Sequence, residues 1–173
     1  MHVRRERPAD HDTVRAVHRA AFGRRGTDRP EDVVEARLTD ELRTDVGFLP
    51  HLSLVAVDHD AVVGHVLATR GWLEPLAVPA LGLGPLGVLP AEQRRGVGAA
   101  LVHALMAVAE ASEERVVVLL GAPAYYSRFD FRPAAALDII APDPAWGGHF
   151  QARWLTGPPV GGAFRYASPF ERL

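Results

Sequence analysis

The hydrophobic residues of the chain recur at helical spacing in three segments. A first helix is predicted after Asp10 or Asp12, either of which can cap it. After a polar loop over residues 23–29, Pro30 opens a second helix, and a long third helix follows Gly98. The residues that share one helix face are Val14, Val17, Ala21 and Phe22, then Val34, Leu38 and Leu42, then Leu101, Leu105, Val108 and Ser112. Each face is expected to pack against the rest of the protein.

Strand-like runs lie between and after these helices. Leu52–Val57 and Val62–Arg70 flank a turn at residues 58–60 and predict a hairpin. Arg115–Leu120 is a continuous run of the kind typical of a buried central strand. Further strands are predicted at Val3–Arg7, Leu81–Leu89, Ala135–Ile140 and Gln151–Leu155, and a short helix at Ala124–Phe129. This order predicts a mixed sheet covered by helices, a layered α/β or α+β domain.

The length and the pattern of elements bound the organisation of the chain. Its 173 residues are enough for one domain, and no repeat, low-complexity tract or linker occurs before about residue 140. We expect a single domain over residues 1–173, with a core over 1–140. Residues 141–173 form a Pro/Gly/Trp-rich loop and strands whose pattern is weaker.

The composition excludes several classes of chemistry. The chain has no cysteine, which excludes disulfides, cysteine-ligated zinc and thiol catalysis and fits a reducing, cytoplasmic location. It has no lysine, which excludes a P-loop and Schiff-base catalysis. The net charge of −2 predicts no bulk attraction to nucleic acid or to an anionic membrane. The uncharged stretch from Pro75 to Ala91 is too short and too broken by proline to span a membrane, so a soluble protein is expected.

A basic, glycine-bearing loop, Gln93–Gly98, joins a predicted strand to the long helix. The first N–H groups of a helix have no intrahelical acceptor, and with the helix dipole they form an anion site. Gly96 and Gly98 let the backbone approach a phosphate, and Arg94 and Arg95 add positive charge. The expected ligand is a pyrophosphate.

This loop resembles the Gln/Arg-x-x-Gly-x-Gly/Ala motif of the GNAT superfamily of acetyl-CoA-dependent N-acetyltransferases. Leu86–Pro90 resembles the preceding strand of that family, in which a bulge splays two parallel neighbours apart. Residues 125–131 resemble the Tyr-x-x-x-Gly-Phe segment, and Gly121–Tyr126 is similar to the Gly-Asp-Pro-x-Tyr-Tyr segment of one subgroup. The resemblance covers about residues 1–140. It implies a mixed sheet of about six or seven strands, splayed between the fourth and fifth, with helices on both faces.

The resemblance also implies acetyl-CoA as co-substrate and no metal. In the family the loop amides bind the coenzyme A pyrophosphate, and the pantetheine arm pairs with the splayed strand. The residues that these roles fall on here are Leu86, Gly87, Val88, Gln93, Arg94, Arg95, Gly96, Val97, Gly98 and Ala99. A backbone N–H within the stretch 86–88 is expected to hold the thioester oxygen as negative charge develops on it.

Tyr126 stands in the register of the family's general acid, five residues before the phenylalanine that ends the motif. It is implied to protonate the leaving thiolate, with Tyr125 as the fallback. Glu74 and His65 lie on or near the third predicted strand, and either can act as the base directly or through water. The sequence does not choose between them, and some members of the family need no dedicated base.

Two positions depart from the family pattern. Asp130 stands where glycine is usual, which puts the local turn in doubt because that turn needs a left-handed residue. Ala122 stands where the subgroup has aspartate, which removes a polar group from the neighbourhood of the site.

The implied function is transfer of an acetyl group from acetyl-CoA to a primary amine of a small molecule or a peptide, by direct attack in a ternary complex. The alternative is a non-catalytic module on the same fold that binds or senses acyl-CoA. By analogy with the family, an unaccompanied final strand pairs between subunits, which makes a homodimer one expectation. The aromatic and histidine side chains considered for the acceptor pocket are Trp72, Trp146, His149 and Trp154.

Overall fold

A computed structural model describes residues 1–23 and 33–172 of the chain. The loop predicted after Gly23 and the helix start predicted at Pro30 lie outside the described residues. The helices are α1 (His11–Phe22), α2 (Val34–Thr44), α3 (Val97–Ala111) and α4 (Pro123–Tyr126). The strands are β1 (His2–Arg5), β2 (Phe48–Asp58), β3 (Ala61–Glu74), β4 (Val78–Val88), β5 (Val116–Leu120), β6 (Arg132–Pro133), β7 (Ile139–Ile140), β8 (Phe150–Trp154) and β9 (Gly162–Arg165).

The strands of the described residues form one mixed sheet in the order β1-β2-β3-β4-β5-β8-β6, with β9 joined to β3 and β7 to β9. Neighbours run antiparallel except for the parallel pairs β4–β5 and β7–β9. The predicted hairpin is confirmed as β2 and β3. The nine strands exceed the six or seven expected because β6 and β7 have only two residues each.

Helices cover both faces of the sheet, as predicted. A side chain at Gly64 would meet Leu101 and Val97 of α3, whereas one at Gly87 would meet His18 of α1. Helix α2 packs beside α1. Buried residues of the predicted helix faces include Val14, Val17, Leu38, Leu42, Leu101 and Leu105.

The centre of the sheet contains the predicted opening between the fourth and fifth strands. Gly84 and Pro85 of β4 form a bulge, in which two residues oppose one residue of β3. The parallel pairing with β5 covers only Leu81–Leu83 of β4, whereas β4 continues to Val88. We call Gly84–Val88 the splayed edge. Its free side is the place where a further extended chain can pair with β4.

The strand predicted at Ala135–Ile140 is wrong over most of its length. Ala134–Leu137 forms a 3₁₀ helix, and Asp138 then adopts a left-handed conformation with φ of 56°. That conformation interrupts an extended chain, so only Ile139–Ile140 is left to pair, in parallel with β9. The strand predicted at Gln151–Leu155 is confirmed as β8.

The C-terminal segment packs on the same sheet. Strand β9 pairs with β3 at Trp72–Glu74, and Phe164 of β9 joins a buried aromatic cluster with Phe150 and Tyr166. Because β9 has partners within the chain, it is not the unaccompanied strand on which the expectation of a homodimer rested. The dimer stays a prediction.

Candidate active site

The chain enters α3 through a turn that leaves backbone N–H groups without acceptors. Gly96 is the residue before the helix, and its φ of 87° lies in the left-handed region, which glycine adopts without strain. The N–H of Ala100 donates to the Gly96 oxygen at 2.9 Å, so the N–H groups of Val97, Gly98 and Ala99 precede the helical ladder. Among the residues that the structure describes, no side chain caps this end of α3. The exposed turn and the positive end of the helix dipole together favour an anion.

The polar side chains of this loop differ in their contacts with the rest of the protein. The Gln93 amide donates to the Val88 carbonyl at 3.1 Å, which ties the loop to the end of β4. Arg95 binds Glu92 at 2.7 Å, so part of its charge is already neutralised. Arg94 is exposed and forms no ion pair with a carboxylate among the described residues. Of the two arginines, Arg94 is therefore the one whose charge is fully available to an anion.

The splayed edge directs the backbone groups of alternate residues away from β3. The N–H of Leu89 donates to the Val63 oxygen of β3 at 2.9 Å, and bonded and non-bonded pairs alternate along an antiparallel ladder. The polar groups of Gly87 are therefore directed toward β3. Those of Leu86 and Val88 point the other way, into the opening. Of the three residues expected to pair with a pantetheine arm, two have the orientation that this pairing requires.

A cavity of about 620 Å³ opens beside the bulge. Its lining includes Leu83–Leu86 of β4 and the aromatic side chains Phe22, Tyr126, Trp146, Phe164, Tyr166 and Phe170. The charged side chains of the lining are Glu35, Arg165 and Glu171. Since Arg165 is already bound to Glu74 at 3.1 Å, the lining that residues 1–23 and 33–172 provide carries an excess of negative charge. The cavity can accept an apolar body that bears a cationic or amine group.

Tyr126 lies at the junction of this cavity and the sheet. Its ring rests directly on Gly121, where any side chain would collide with it, and it packs edge-on against Phe131. Burial raises the pKa of Tyr126 to about 12. The phenol therefore stays protonated at physiological pH, as a proton donor must.

Tyr125 faces a different part of the site from its neighbour. A Cβ at Gly98 would lie 2.6 Å from the Tyr125 Oη, so this hydroxyl sits against the first turn of α3. The Arg128 guanidinium stacks over the ring, with Cζ 4.0 Å from its centroid. Tyr125 thus lies at the anion-binding end of the site and Tyr126 at the cavity.

The sequence comparisons identify the family. A sequence profile described as acetyltransferase (GNAT) domain matches residues 2–134, which is more than half of the chain. The chain belongs to the GNAT acetyltransferase family. It is 32% identical over 177 residues to the N-acetyltransferase YhbS of Escherichia coli K12, with full coverage of both chains. It is 33% identical over 129 residues to the N-acetyltransferase YjhQ of the same strain, covering 73% of this chain and 67% of that one.

Two solved GNAT structures share the fold over nearly the whole chain. The crystal structure of YhbS from Escherichia coli in complex with CoA superposes with a TM-score of 0.87 at 29% identity, covering 99% of this chain and 92% of the other. A GNAT acetyltransferase from Brucella melitensis in complex with acetyl-CoA superposes with a TM-score of 0.78 at 30% identity, covering 98% and 97%. The family and the fold class predicted from the sequence are confirmed.

The residues considered as bases are both engaged by other side chains. Glu74, the last residue of β3, binds Arg165. His65 is fully buried between His18 and Ser53, at 2.8 and 3.0 Å. His18 was not among the predicted site residues of this GNAT chain, although it lies next to Val17 on the apolar face of α1. A histidine within an apolar stripe was the only signal that the sequence offered.

Of the four side chains considered for an acceptor pocket, Trp146 lines the cavity. The indole of Trp154 instead donates to the Thr156 carbonyl at 2.8 Å. Within the described residues, none of the helices combines the length and the apolar character needed to cross a membrane. The same residues bring together no set of three His, Cys, Asp or Glu side chains that could hold a metal ion.

Proposed function

We propose that this GNAT protein is an acetyl-CoA-dependent N-acetyltransferase that acetylates a primary amine carried on an apolar, preferably aromatic, body. The observation that carries the proposal is the meeting of three features at one opening in the sheet: the uncapped start of α3, the splayed edge of β4 and the cavity that contains Tyr126. The solved relatives that contain CoA and acetyl-CoA support the choice of co-substrate.

The coenzyme is held mainly by backbone groups in this proposal. The N–H groups of residues 97–99 and the guanidinium of Arg94 take the pyrophosphate. The pantetheine arm lies along the splayed edge and pairs with Leu86 and Val88, whose polar groups face the opening. Gln93 shares the Val88 carbonyl and keeps the loop in register with β4. Gly87 lends no backbone group to the coenzyme.

The chemistry is a direct attack in a ternary complex. The amine attacks the thioester carbon, and the carbonyl oxygen, as it gains negative charge, accepts a hydrogen bond from the Leu86 N–H; one such donor contributes about 3–4 kcal/mol in the transition state. The C–N bond forms, the C–S bond breaks, and the nitrogen loses its surplus proton to solvent. Tyr126 gives its proton to the departing thiolate, because burial keeps the phenol neutral until that moment.

The lining of the cavity supports the acceptor class. Aromatic rings from α1, α4 and the C-terminal segment line the wall together with apolar residues of β4, and such surfaces bind apolar bodies. Glu35 and Glu171 attract an amine as its cation. A strongly polar polyamine leaves this apolar wall unused, and an acidic acceptor is repelled by the two carboxylates.

The test is CoA release with a panel of amines that contains benzylamine, 2-phenylethylamine, spermidine and a short peptide with an N-terminal phenylalanine. The chain has no cysteine, so a thiol reagent reports CoA alone, and it has no lysine, so its own side chains do not compete as acceptors. We expect turnover with the aromatic amines and little with spermidine. Preference for spermidine would contradict the acceptor class.

The matched variants are Tyr126→Phe and Tyr125→Phe. We expect Tyr126→Phe to lower kcat by about 10²–10⁴-fold, the usual contribution of a general acid, and Tyr125→Phe to change it far less. Calorimetric binding of acetyl-CoA with no turnover on the whole panel would favour the non-catalytic alternative. A Gly96→Glu variant that still bound acetyl-CoA normally would refute the proposed coenzyme site.

A further inference from the structure

A row of four hydrogen-bonded side chains crosses the interior beneath α1. His18 Nε2 lies 2.8 Å from His65 Nδ1, and His65 Nε2 lies 3.0 Å from Ser53 Oγ. The Ser53 hydroxyl lies 2.6 Å from Glu6 Oε2. The two imidazoles are completely buried. Buried polar groups in such a row are ordered by the donors and acceptors at its ends.

Glu6 fixes the direction of the whole row. Burial opposes its ionisation, but contacts from His65, Arg43 and Ser53 outweigh burial and hold its pKa well below the usual range. An ionised carboxylate only accepts, so Ser53 donates to it and must itself accept from the Nε2–H of His65. His65 Nδ1 is then an acceptor, and His18 Nε2–H donates to it. This assignment leaves His18 Nδ1 without a proton.

The lone pair of His18 Nδ1 has no donor. This atom is buried and makes no hydrogen bond within the described part of the chain. It faces Gly87 of β4, where a Cβ would lie only 2.7 Å from it. A buried acceptor without a partner is costly and uncommon in a folded protein. The glycine that makes room for the imidazole belongs to the splayed edge.

The unpartnered nitrogen lies directly behind the wall of the cavity. Leu86, the neighbour of Gly87, lines the cavity, and so does Phe22 of α1. The Phe22 ring stacks on the His18 ring with centroids 5.9 Å apart, and its side chain is 39% exposed. The Phe22 ring therefore separates His18 from the cavity, and it must turn aside before a molecule in the cavity can reach His18.

The surroundings keep His18 neutral. Desolvation, followed by the proximity of His65 and Arg43, lowers the pKa of His18 to about 2, and only Glu6 opposes this shift. Desolvation also lowers the pKa of His65. Of the other charged groups near the row, Arg4 pairs with Asp10 and Arg15 with Asp40. The buried Nε of Arg19 makes no hydrogen bond within the described residues, and His11 acts on His65 in the same direction as burial. His18 therefore accepts hydrogen bonds throughout the physiological pH range without taking up a proton.

We propose that His18 Nδ1 accepts a hydrogen bond from the attacking amine and orients the nitrogen lone pair toward the thioester carbon. This inference rests on the proposed function and adds the residue that positions its acceptor. The amine reacts only after it has lost the proton of its cation, because the neutral form alone has both an N–H to donate to His18 and a lone pair to attack with. After attack the surplus proton of the nitrogen goes to solvent, and Tyr126 supplies the proton of the thiol. His65, Ser53 and Glu6 are positioning residues that hold the His18 tautomer.

Two substitutions of His18 separate this role from a structural one. His18→Asn places its side-chain oxygen near the position of Nδ1 and loses the contact with His65. His18→Gln keeps a donor to His65 and loses the acceptor beside Gly87. We expect His18→Gln to lower kcat by about 10–100-fold, as misplacement of a reactant does, with the KM for acetyl-CoA unchanged, and His18→Asn to retain more of the activity. The opposite ranking would overturn the proposal.

The pH dependence gives a second readout. With benzylamine and 2-phenylethylamine as acceptors, kcat/KM is expected to rise with the neutral fraction of each amine, so its inflection moves with the pKa of the amine. An inflection that stays at one pH for both amines would show that a protein group, not the amine, controls the step, and would contradict the proposal.

Nitrogen-15 NMR of histidine-labelled protein tests the acceptor even if the variants fail to fold. In the free protein, His18 Nδ1 is expected to resonate as an unprotonated nitrogen, and a protonated Nδ1 there would refute the inference with or without a known acceptor. On addition of CoA and benzylamine the resonance is expected to move toward that of a hydrogen-bonded nitrogen. Complex formation without this movement would overturn it. Absence of turnover with every amine, by contrast, counts against the proposed function alone.

Discussion

The contact between Gly98 and Tyr125 allows a quantitative test of the site geometry. In Gly98→Ala the new Cβ would lie 2.6 Å from the Tyr125 Oη, whereas the next atoms, Val88 Cγ2 and Tyr125 Cζ, are at ordinary contact distances of 3.7 and 3.8 Å. The hydroxyl alone is in the way. The Tyr125 ring cannot easily retreat, because Arg128 stacks on one face and Tyr126 packs against it with centroids 4.9 Å apart.

Two terms of opposite sign decide the stability. Overpacking lowers the free energy of unfolding by about 1–3 kcal/mol. Replacing a helical glycine by alanine raises it by roughly 0.5–1 kcal/mol. We expect Gly98→Ala to lose up to about 2 kcal/mol in the native background. In a Tyr125→Phe background the clash is absent, so the same substitution is expected to gain about 0.5–1 kcal/mol. The coupling energy between the two positions is therefore about 1–3 kcal/mol, which exceeds the usual error of additivity.

The assay is equilibrium urea unfolding of the four proteins of this cycle, followed by circular dichroism. The decisive result is the change of sign between the two backgrounds. If the two substitutions were additive within about 0.5 kcal/mol, the Tyr125 hydroxyl would not lie against the start of α3. The assignment of Tyr125 to the anion-binding end and of Tyr126 to the cavity would then lose its basis.

Three further predictions concern the loop, the short helix and the buried ion pair. Arg94→Ala is expected to raise the Kd for acetyl-CoA more than Arg95→Ala, measured by calorimetry, because Arg95 is held by a neighbouring carboxylate. Ala122→Asp supplies the cap that α4 lacks and should add about 1 kcal/mol, seen as a melting temperature about 2–4 °C higher. Arg43→Met leaves the buried carboxylate of Glu6 without its cationic partner. It should lower the free energy of unfolding by about 3–5 kcal/mol at neutral pH. The pKa of Glu6 is lowered in the folded protein, so the stability that ionised Glu6 contributes is lost as the pH falls. The difference in unfolding free energy between the native protein and Arg43→Met should therefore narrow below about pH 4, where the carboxyl of the unfolded chain is protonated.

The local part of the site was predictable because its determinants are close in sequence. The loop before α3 combines glycine, arginine and an apolar helix within a few residues, and each has a local physical meaning. The departure from the family pattern at Asp130 also has a local explanation. Asp130 stands where the family has glycine, and it adopts φ of 64°, a left-handed conformation that aspartate can adopt. The predicted turn is therefore retained.

The parts of the fold and of the site that the sequence did not predict depend on contacts between segments that are distant in the chain. Strand β9 pairs with β3, whose residues lie about ninety positions earlier, and nothing in the short run Gly162–Arg165 indicates that partner. The contact of His18 with His65 spans 47 residues. Each histidine taken alone is indistinguishable from a surface or core residue, and only the fold gives the pair an orientation.

Three glycines give the candidate site its shape by the space that they leave. Each chemistry-bearing side chain occupies the position that the Cβ of a different residue would fill. The three pairs are Gly87 with His18, Gly98 with Tyr125, and Gly121 with Tyr126. Gly87 lies in β4, Gly121 follows β5 and Gly98 lies in the first turn of α3, whereas the rings come from α1 and α4. A sequence shows the glycines but not which ring enters each space, because that is decided by helices and loops that fold back from elsewhere in the chain. In the folded protein these three glycines are needed less for backbone flexibility than for the space that His18, Tyr125 and Tyr126 occupy.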